Sequence, residues 1–128
     1  MNKEQHDAQQ QQAAFWLQYS QQLAEAIRYH EALAAAERAV ALQDTNKEAW
    51  YAKGTCLAML ARYDEALHDF EQSLTLDADY VPAWDGKAWV LGIMGQKDEA
   101  LRAVERALQL DPDYFEAQKR KRRLTGTP

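Results

Sequence analysis

At 128 residues the chain has the length of one ordinary domain, and with 47% hydrophobic residues it has enough apolar material for a core. Its single cysteine, Cys56, excludes an internal disulfide framework, and no apolar run approaches the ~20 residues that cross a bilayer. The net charge of −5 is unevenly spread. Residues 119–123, KRKRR, hold five of the 15 basic residues, so the stretch 116–128 carries +4 with Glu116 counted, and the stretch 1–115 carries −9.

Residues 1–12, MNKEQHDAQQQQ, have almost nothing to bury and are expected to form a frayed, polar, glutamine-rich tail. They contain no apolar stretch of the kind a secretory signal needs, which makes a cytoplasmic setting the default expectation. From residue 13 the same residue types return at a fixed interval. Trp16, Trp50 and Trp84 are evenly spaced; Leu23, Leu57 and Leu91 follow them by seven, Ala32, Ala66 and Ala100 by sixteen, and Ala39, Ser73 and Ala107 by twenty-three. A period of about 20 to 50 residues marks a solenoid whose units bury their apolar faces against one another. The units are 13–46, 47–80 and 81–114, with boundaries near Asn46, Tyr80 and Tyr114.

Within a unit the apolar spacing is helical. Trp50, Gly54, Leu57 and Leu60 form one stripe, Ala66, Leu67, Phe70 and Leu74 another, with a break at Ala61–Arg62. Each unit therefore reads as helix, tight turn, helix. Asp64–Glu65 and Asp98–Glu99 place acids in the first turn of second helices, where the helix dipole favours them. Asp111–Pro112 closes the third unit, because the residue before proline leaves the helical region. Residues 115–124, FEAQKRKRRL, read as one more helix whose Phe115 and Leu124 cover the open apolar end while its basic face meets water, followed by a tail at 125–128.

No catalytic constellation stands out, so an enzyme is not expected. His6, His30 and His68 fall in the tail, in a turn and on a second helix, and none shares a helical face with Cys56 or another histidine as a metal site requires. Asp64, Glu65, Asp98, Glu99 and Glu105 fit exposed helix faces rather than an apolar pocket that would tune a carboxylate for acid–base work. The five glycines do not cluster into a phosphate-binding loop. Cys56 is expected to be a small buried group, and no cofactor is implied.

The repeating residues resemble the tetratricopeptide repeat family, whose 34-residue signature carries Trp, Leu-Gly, Tyr, Ala, Phe and Pro at set offsets. The second unit supplies Trp50, Gly54, Leu57, Tyr63, Ala66 and Phe70 at those places; the third supplies Trp84, Leu91, Ala100, Ala107 and Pro112, and the first Trp16, Leu23, Tyr29, Ala32 and Ala39. Ser20 and Ala88 stand where Gly54 stands, and Asp44 and Ala78 where Pro112 stands. Lys53 and Lys87 replace a leucine of the signature, their stems being able to cover apolar surface while the ammonium stays wet. The resemblance covers residues 13–114. It implies an all-α fold, a right-handed α-solenoid of three helix-turn-helix repeats with a C-terminal capping helix, and a non-catalytic protein–protein interaction module whose first helices line a concave groove.

Matching the family's binding positions gives Leu17, Gln18, Gln21 and Glu25 from the first unit, Tyr51, Thr55 and Met59 from the second, and Asp85, Trp89 and Ile93 from the third. Trp89 has Gln21 and Thr55 as counterparts, so the repeat framework does not demand an indole there. Gly86 and Gly92 flank it three residues either side, which suggests room left for a partner beside an aromatic anchor. A branch of the family grips the terminal carboxylate of heat-shock chaperones with lysine, asparagine and arginine; the matching places here hold Leu17, Gln21, Ala52, Pro82 and Gly86, which disfavours that ligand. The expected partner is a peptide or helix with apolar anchors, with no membrane contact. A self-assembly module, stacking through Phe15 and Trp16 as a weak homo-oligomer instead of a monomer, is the alternative. Nucleic acid binding through Lys119 to Arg123 is disfavoured, because a capping helix needs a solvated face whatever it binds.

Overall fold

Two kinds of turn set the architecture, and each is written in the backbone hydrogen bonds. The computed structural model describes residues 1–127 and holds, among them, seven helices and no strand: α1 (Lys3–Glu25), α2 (Tyr29–Leu42), α3 (Lys47–Met59), α4 (Tyr63–Leu76), α5 (Val81–Ile93), α6 (Lys97–Leu110) and α7 (Phe115–Thr125). Between first and second helices, one residue per unit takes left-handed geometry: Ile27 (φ 61°), Ala61 (φ 61°) and Gly95 (φ 81°). The next N–H then reaches back five residues, Arg28 to Leu23 O, Arg62 to Leu57 O and Gln96 to Leu91 O, each at 2.9 Å, and satisfies a carbonyl the helix end leaves open. Ile27 and Ala61 are the strained members, since left-handed geometry costs an L-residue roughly 1–2 kcal/mol, and the β-branched Ile27 is the more so.

Between units the chain turns differently. Tyr80 and Tyr114 N–H donate to Asp77 and Asp111 O at 3.1 Å, and the same aspartates accept from the N–H of Asp79 and Asp113 through their side chains. The repeated tryptophans latch onto these turns. Trp50 Nε1–H donates to Asp44 O and Trp84 Nε1–H to Ala78 O, both at 2.8 Å, so each indole ties its unit to the turn before it. They are half-buried, with one ring face covered by the ammonium of Lys53 (5.3 Å) or Lys87 (5.5 Å) rather than enclosed by core.

The hairpins α1–α2, α3–α4 and α5–α6 stack so that each second helix packs on the next first helix, and α1, α3, α5 and α7 touch in succession; the fold is an all-α helical-repeat solenoid. Small residues allow the close approach. Ala32, Ala66 and Ala100 are fully buried, and Ser20, Gly54 and Ala88 face them from the first helices. Ser20 keeps its hydroxyl satisfied by donating to Ala32 O at 2.8 Å. Phe70 is the wedge of the second unit. Its fully buried ring lies so near both Gly54 and Gly86 that a Cβ would come within 2.9 Å and 2.7 Å of it.

Four expectations need correction. The glutamine-rich start is helical from Lys3, because Asn2 accepts Gln5 N–H at 2.8 Å while Gln5 Oε1 accepts Asn2 N–H, and Gln9 ties the segment to Leu42 O at 2.6 Å. His30 lies in the first turn of α2, not in a connecting turn. Phe115 is 58% exposed beneath Lys119; Ala117, Tyr114 and Leu124 do the covering, against Ala103, Val104 and Ala107. Thr125 belongs to α7, which Gly126 ends in left-handed geometry, and residue 128 of the expected tail lies outside the described residues.

Candidate binding groove

α7 is built as the first helix of a further unit. Gln118 stands one repeat after Trp84, as Trp84 does after Trp50, and its side-chain amide donates to Pro112 O at 2.7 Å, taking over the latch made by the two indoles. Ala117 is fully buried, as are Ala83 and Ala49 one and two periods earlier. The row of first helices therefore has four members, α1, α3, α5 and α7.

At the α1 end of this row a cavity of about 210 Å³ opens between α1 and α3, lined by Gln21, Ala24, Glu25, Tyr51, Thr55 and Cys56 among others. Gln21 and Glu25 are exposed and point a neutral amide and a carboxylate at its mouth. Thr55 spends its hydroxyl on Tyr51 O at 3.0 Å. Tyr51 is half-buried against Phe70 and Tyr80, with ring centroids at 5.7 and 5.8 Å, and burial pushes its phenol up from the ordinary value, so it is a neutral donor at physiological pH. Burial likewise pushes Tyr80 up to about 12. Cys56 is buried and its thiol is raised by burial, which makes it inert.

At the α7 end the face is differently made. Asp85 is only 6% exposed and is held by Arg120 of α7, Nε to Oδ1 at 2.7 Å and Nη2 to Oδ2 at 3.1 Å. The same guanidinium lies 6.0 Å from the Trp89 ring centroid, and the indole packs on the central cluster that contains Phe70 and Val90. Met59 and Ile93, 43% and 49% exposed, end α3 and α5 on the rim.

The ten sequence-derived positions thus divide, with Gln18 exposed on α1. Gln21, Glu25, Tyr51 and Thr55 come together around one cavity, and Met59 and Ile93 stay open beside the hairpin turns. Leu17 is 7% exposed and packs with Ala39 and Ala49, because the approach of α3 closes over it, while Asp85 is occupied by Arg120. The two glycines beside Trp89 do not leave space for a partner. Gly86 makes room for the Phe70 ring, and a Cβ at Gly92 would meet Leu124 of α7 at 3.4 Å. Sequence reading missed α7 as part of this face, although the step from Trp84 to Gln118, equal to that from Trp50 to Trp84, carries the signal.

Comparison with known proteins fits this architecture. No curated protein matches the chain significantly. Among solved structures it is similar to the first TPR of Spaghetti (RPAP3) bound to HSP90 peptide SRMEEVD, at 20% identity and TM-score 0.86 over 91% of this chain and 92% of that one. It is also similar to the Arabidopsis OM64 TPR domain (16% identity, TM-score 0.89, 92% and 98% of the two chains) and to YrrB, a TPR protein with an unusual peptide-binding site (24%, 0.81, 86% and 57%). At such identities the likeness is one of fold. The tetratricopeptide repeat matches residues 48–80 and again 81–114, together more than half of the 128 residues. With the latch of indole to turn repeated along the solenoid, the chain belongs to the tetratricopeptide repeat family.

Proposed function

We propose that this chain holds a peptide or helix of a partner protein against the row of first helices, and that it does so without catalysis. Tetratricopeptide repeats are protein-interaction modules, which supplies the general frame. The observation that carries the specific reading is the cavity between α1 and α3, where an exposed amide and carboxylate, Gln21 and Glu25, ring the half-buried phenol of Tyr51. An apolar side chain fits such a depression, with a basic group beside Glu25. Two of the similar structures carry heat-shock peptides, SRMEEVD in one and SGPTIEEVD in another. Here Leu17 and Gly86 are buried and Gln21, Ala52 and Pro82 bear no charge, so a terminal carboxylate at those places would lack cations, and the reading disfavours a clamp on the carboxylate end of chaperone tails. A cytoplasmic setting belongs to the same reading, as does a protein rather than nucleic acid partner; no described helix is long and apolar enough to cross a membrane.

Selection from a phage-displayed random peptide library tests the proposal. Wild type should enrich sequences with apolar anchors, and Gln21→Arg, an exposed change that sets a long side chain across the cavity mouth, should lose them while its far-UV spectrum stays helical. Enrichment unaltered by Gln21→Arg sinks the groove reading.

One observation favours the second reading, self-assembly. Phe15 is 59% exposed and stacks with the 41% exposed Tyr19, at the place where later units carry buried Ala49 and Ala83 against a preceding helix. Light scattering over a concentration series separates the two, since a monomer at every concentration removes the stacking reading.

A further inference from the structure

α7 carries five cations in a row; one of them is ion-paired among the described residues, and Lys119 lies over the exposed Phe115 ring at 5.2 Å. Arg120 pairs with Asp85; Lys119, Lys121, Arg122 and Arg123 make no ion pair among the described residues. The repeat register says which of these face the groove. Lys119 stands one period after Asp85 and two after Tyr51, and Arg123 one period after Trp89 and two after Thr55. Because α7 keeps the latch and the buried alanine of a first helix, Lys119 and Arg123 occupy the groove-lining places of the fourth member of the row. With Gly126, Thr127 and Arg122, which stands one period after Ala88 on the side that a second helix covers in the earlier units, they line an open depression of about 480 Å³ at the end of the row. Lys121 is not among its walls.

A solvated cap alone does not call for this arrangement. Lys119 lies three and four residues from Arg122 and Arg123, spacings at which like charges on a helix repel. The helix dipole favours cations in the last turn, which accounts for Arg122 and Arg123, but Lys119 lies well before that turn. Elsewhere the chain solvates an exposed helix with glutamines, as in residues 9–12 of α1. Along the row the charge changes sign, from Glu25 at α1 and Glu48 on α3, past the aromatic Tyr51 and Trp89, to Lys119 and Arg123 on α7, which outnumber the one acid there, Glu116, two periods after Glu48.

We infer that the α7 end of the groove receives an acidic segment of a partner polypeptide, whose carboxylates meet Lys119, Arg122 and Arg123 while an adjoining apolar residue lies toward Trp89 and Tyr51. The inference deepens the groove reading and rests on it. Each exposed charge pair adds only a few-fold, so the effect is collective, screened by salt, and serves to fix the direction in which the guest lies.

Fluorescence anisotropy tests it with three labelled probes: a decapeptide pool with apolar residues at five positions and Asp or Glu at the other five, the same pool with Lys or Arg in place of the acids, and a single-stranded RNA 20-mer. Wild type should bind the acidic pool at least about tenfold more tightly than the basic pool, with affinity falling as salt rises. The triple variant Lys119→Glu, Arg122→Glu, Arg123→Glu should reverse that order, and Lys121→Glu should shift it less than twofold. If the triple glutamate chain loses helicity, the triple glutamine variant is used, and it should abolish the preference. Equal binding of both pools, or a preference that survives the triple change, overturns the inference. Tighter binding of RNA than of the acidic pool, lost in the triple variant, also overturns it and assigns the patch to nucleic acid. Pools that bind equally yet are lost with Gln21→Arg leave the groove standing and remove only the acidic guest, whereas no binding of either pool removes both.

Discussion

Arg120 of α7 grips Asp85 of α5 through two hydrogen bonds of 2.7 and 3.1 Å, with side chains only 19% and 9% exposed. A helix placed by so local a register is thereby also pinned by charge to its neighbour. Removing one partner leaves the other buried without compensation, so Arg120→Ala should lower the unfolding free energy by up to about 3 kcal/mol. Replacing both, as Asp85→Leu with Arg120→Met, should do less damage than the single change. Urea titrations of the two variants check this; equal or greater loss in the double variant contradicts it.

Phe70 makes the second prediction. A methyl group at Gly86 would meet the Phe70 ring at 2.7 Å, and the ring, fully buried, has nowhere to go. Gly86→Ala should therefore destabilise by about 1–3 kcal/mol even though alanine is the better helix former by roughly 1 kcal/mol. Gly92→Ala meets only the end of Leu124 at 3.4 Å and should be neutral or stabilising by up to about 1 kcal/mol. Coupling Gly86→Ala with Phe70→Leu should recover part of the loss, which a double-mutant cycle measures.

These two glycines also show where sequence reasoning stops. The even spacing of Trp16, Trp50 and Trp84 identifies the hairpins, because a solenoid repeats its contacts and each contact repeats its residue type. A glycine does not say whether a guest or the chain itself comes close, or whether anything does: at Gly86 it is Phe70, whereas at Gly92 a Cβ would meet only the end of Leu124 at an ordinary contact distance. Asp85 reads as a groove acid until α7 delivers Arg120, a contact 35 residues away in sequence. Gln21, Glu25, Tyr51 and Thr55 were legible as one face because they depend on helical spacing within α1 and α3 and on the single offset between them.

Asp69 carries a pH dependence. It is 2% exposed and lies where the other units have Ala35 and Ala103, and its Oδ2 accepts no hydrogen bond. Lys53 Nζ is 3.8 Å away and His68 Nδ1 3.2 Å, yet burial outweighs both and raises the carboxyl above its ordinary 3.8. A raised acid favours the folded state below the unfolded value, and that contribution disappears as pH rises through the higher folded value. Asp69→Ala, the residue of the neighbouring units, should then stabilise the chain at pH 7 by about 1–2 kcal/mol. The gain should shrink on acidification and vanish below pH ~4. Unfolding free energies at pH 3.5, 5 and 7 decide it, and a gain that does not vary with pH counts against a charged, buried Asp69.

The peptide SRMEEVD, seen on a similar fold, separates recognition of a chain terminus from recognition of acidic side chains. A terminal carboxylate needs cations at the end of the groove that closes on it, and here the matching places hold a buried Leu17, Ala52, Pro82 and a Gly86 filled by Phe70. The free acid and its C-terminal amide share both glutamates and the aspartate side chain, which Lys119, Arg122 and Arg123 can meet equally in either form. The two forms should therefore bind within about twofold of one another, weakly and with the same sensitivity to salt. Calorimetry or anisotropy on the matched pair gives the answer, and a free acid that binds more than about tenfold tighter would place a carboxylate clamp in this groove after all.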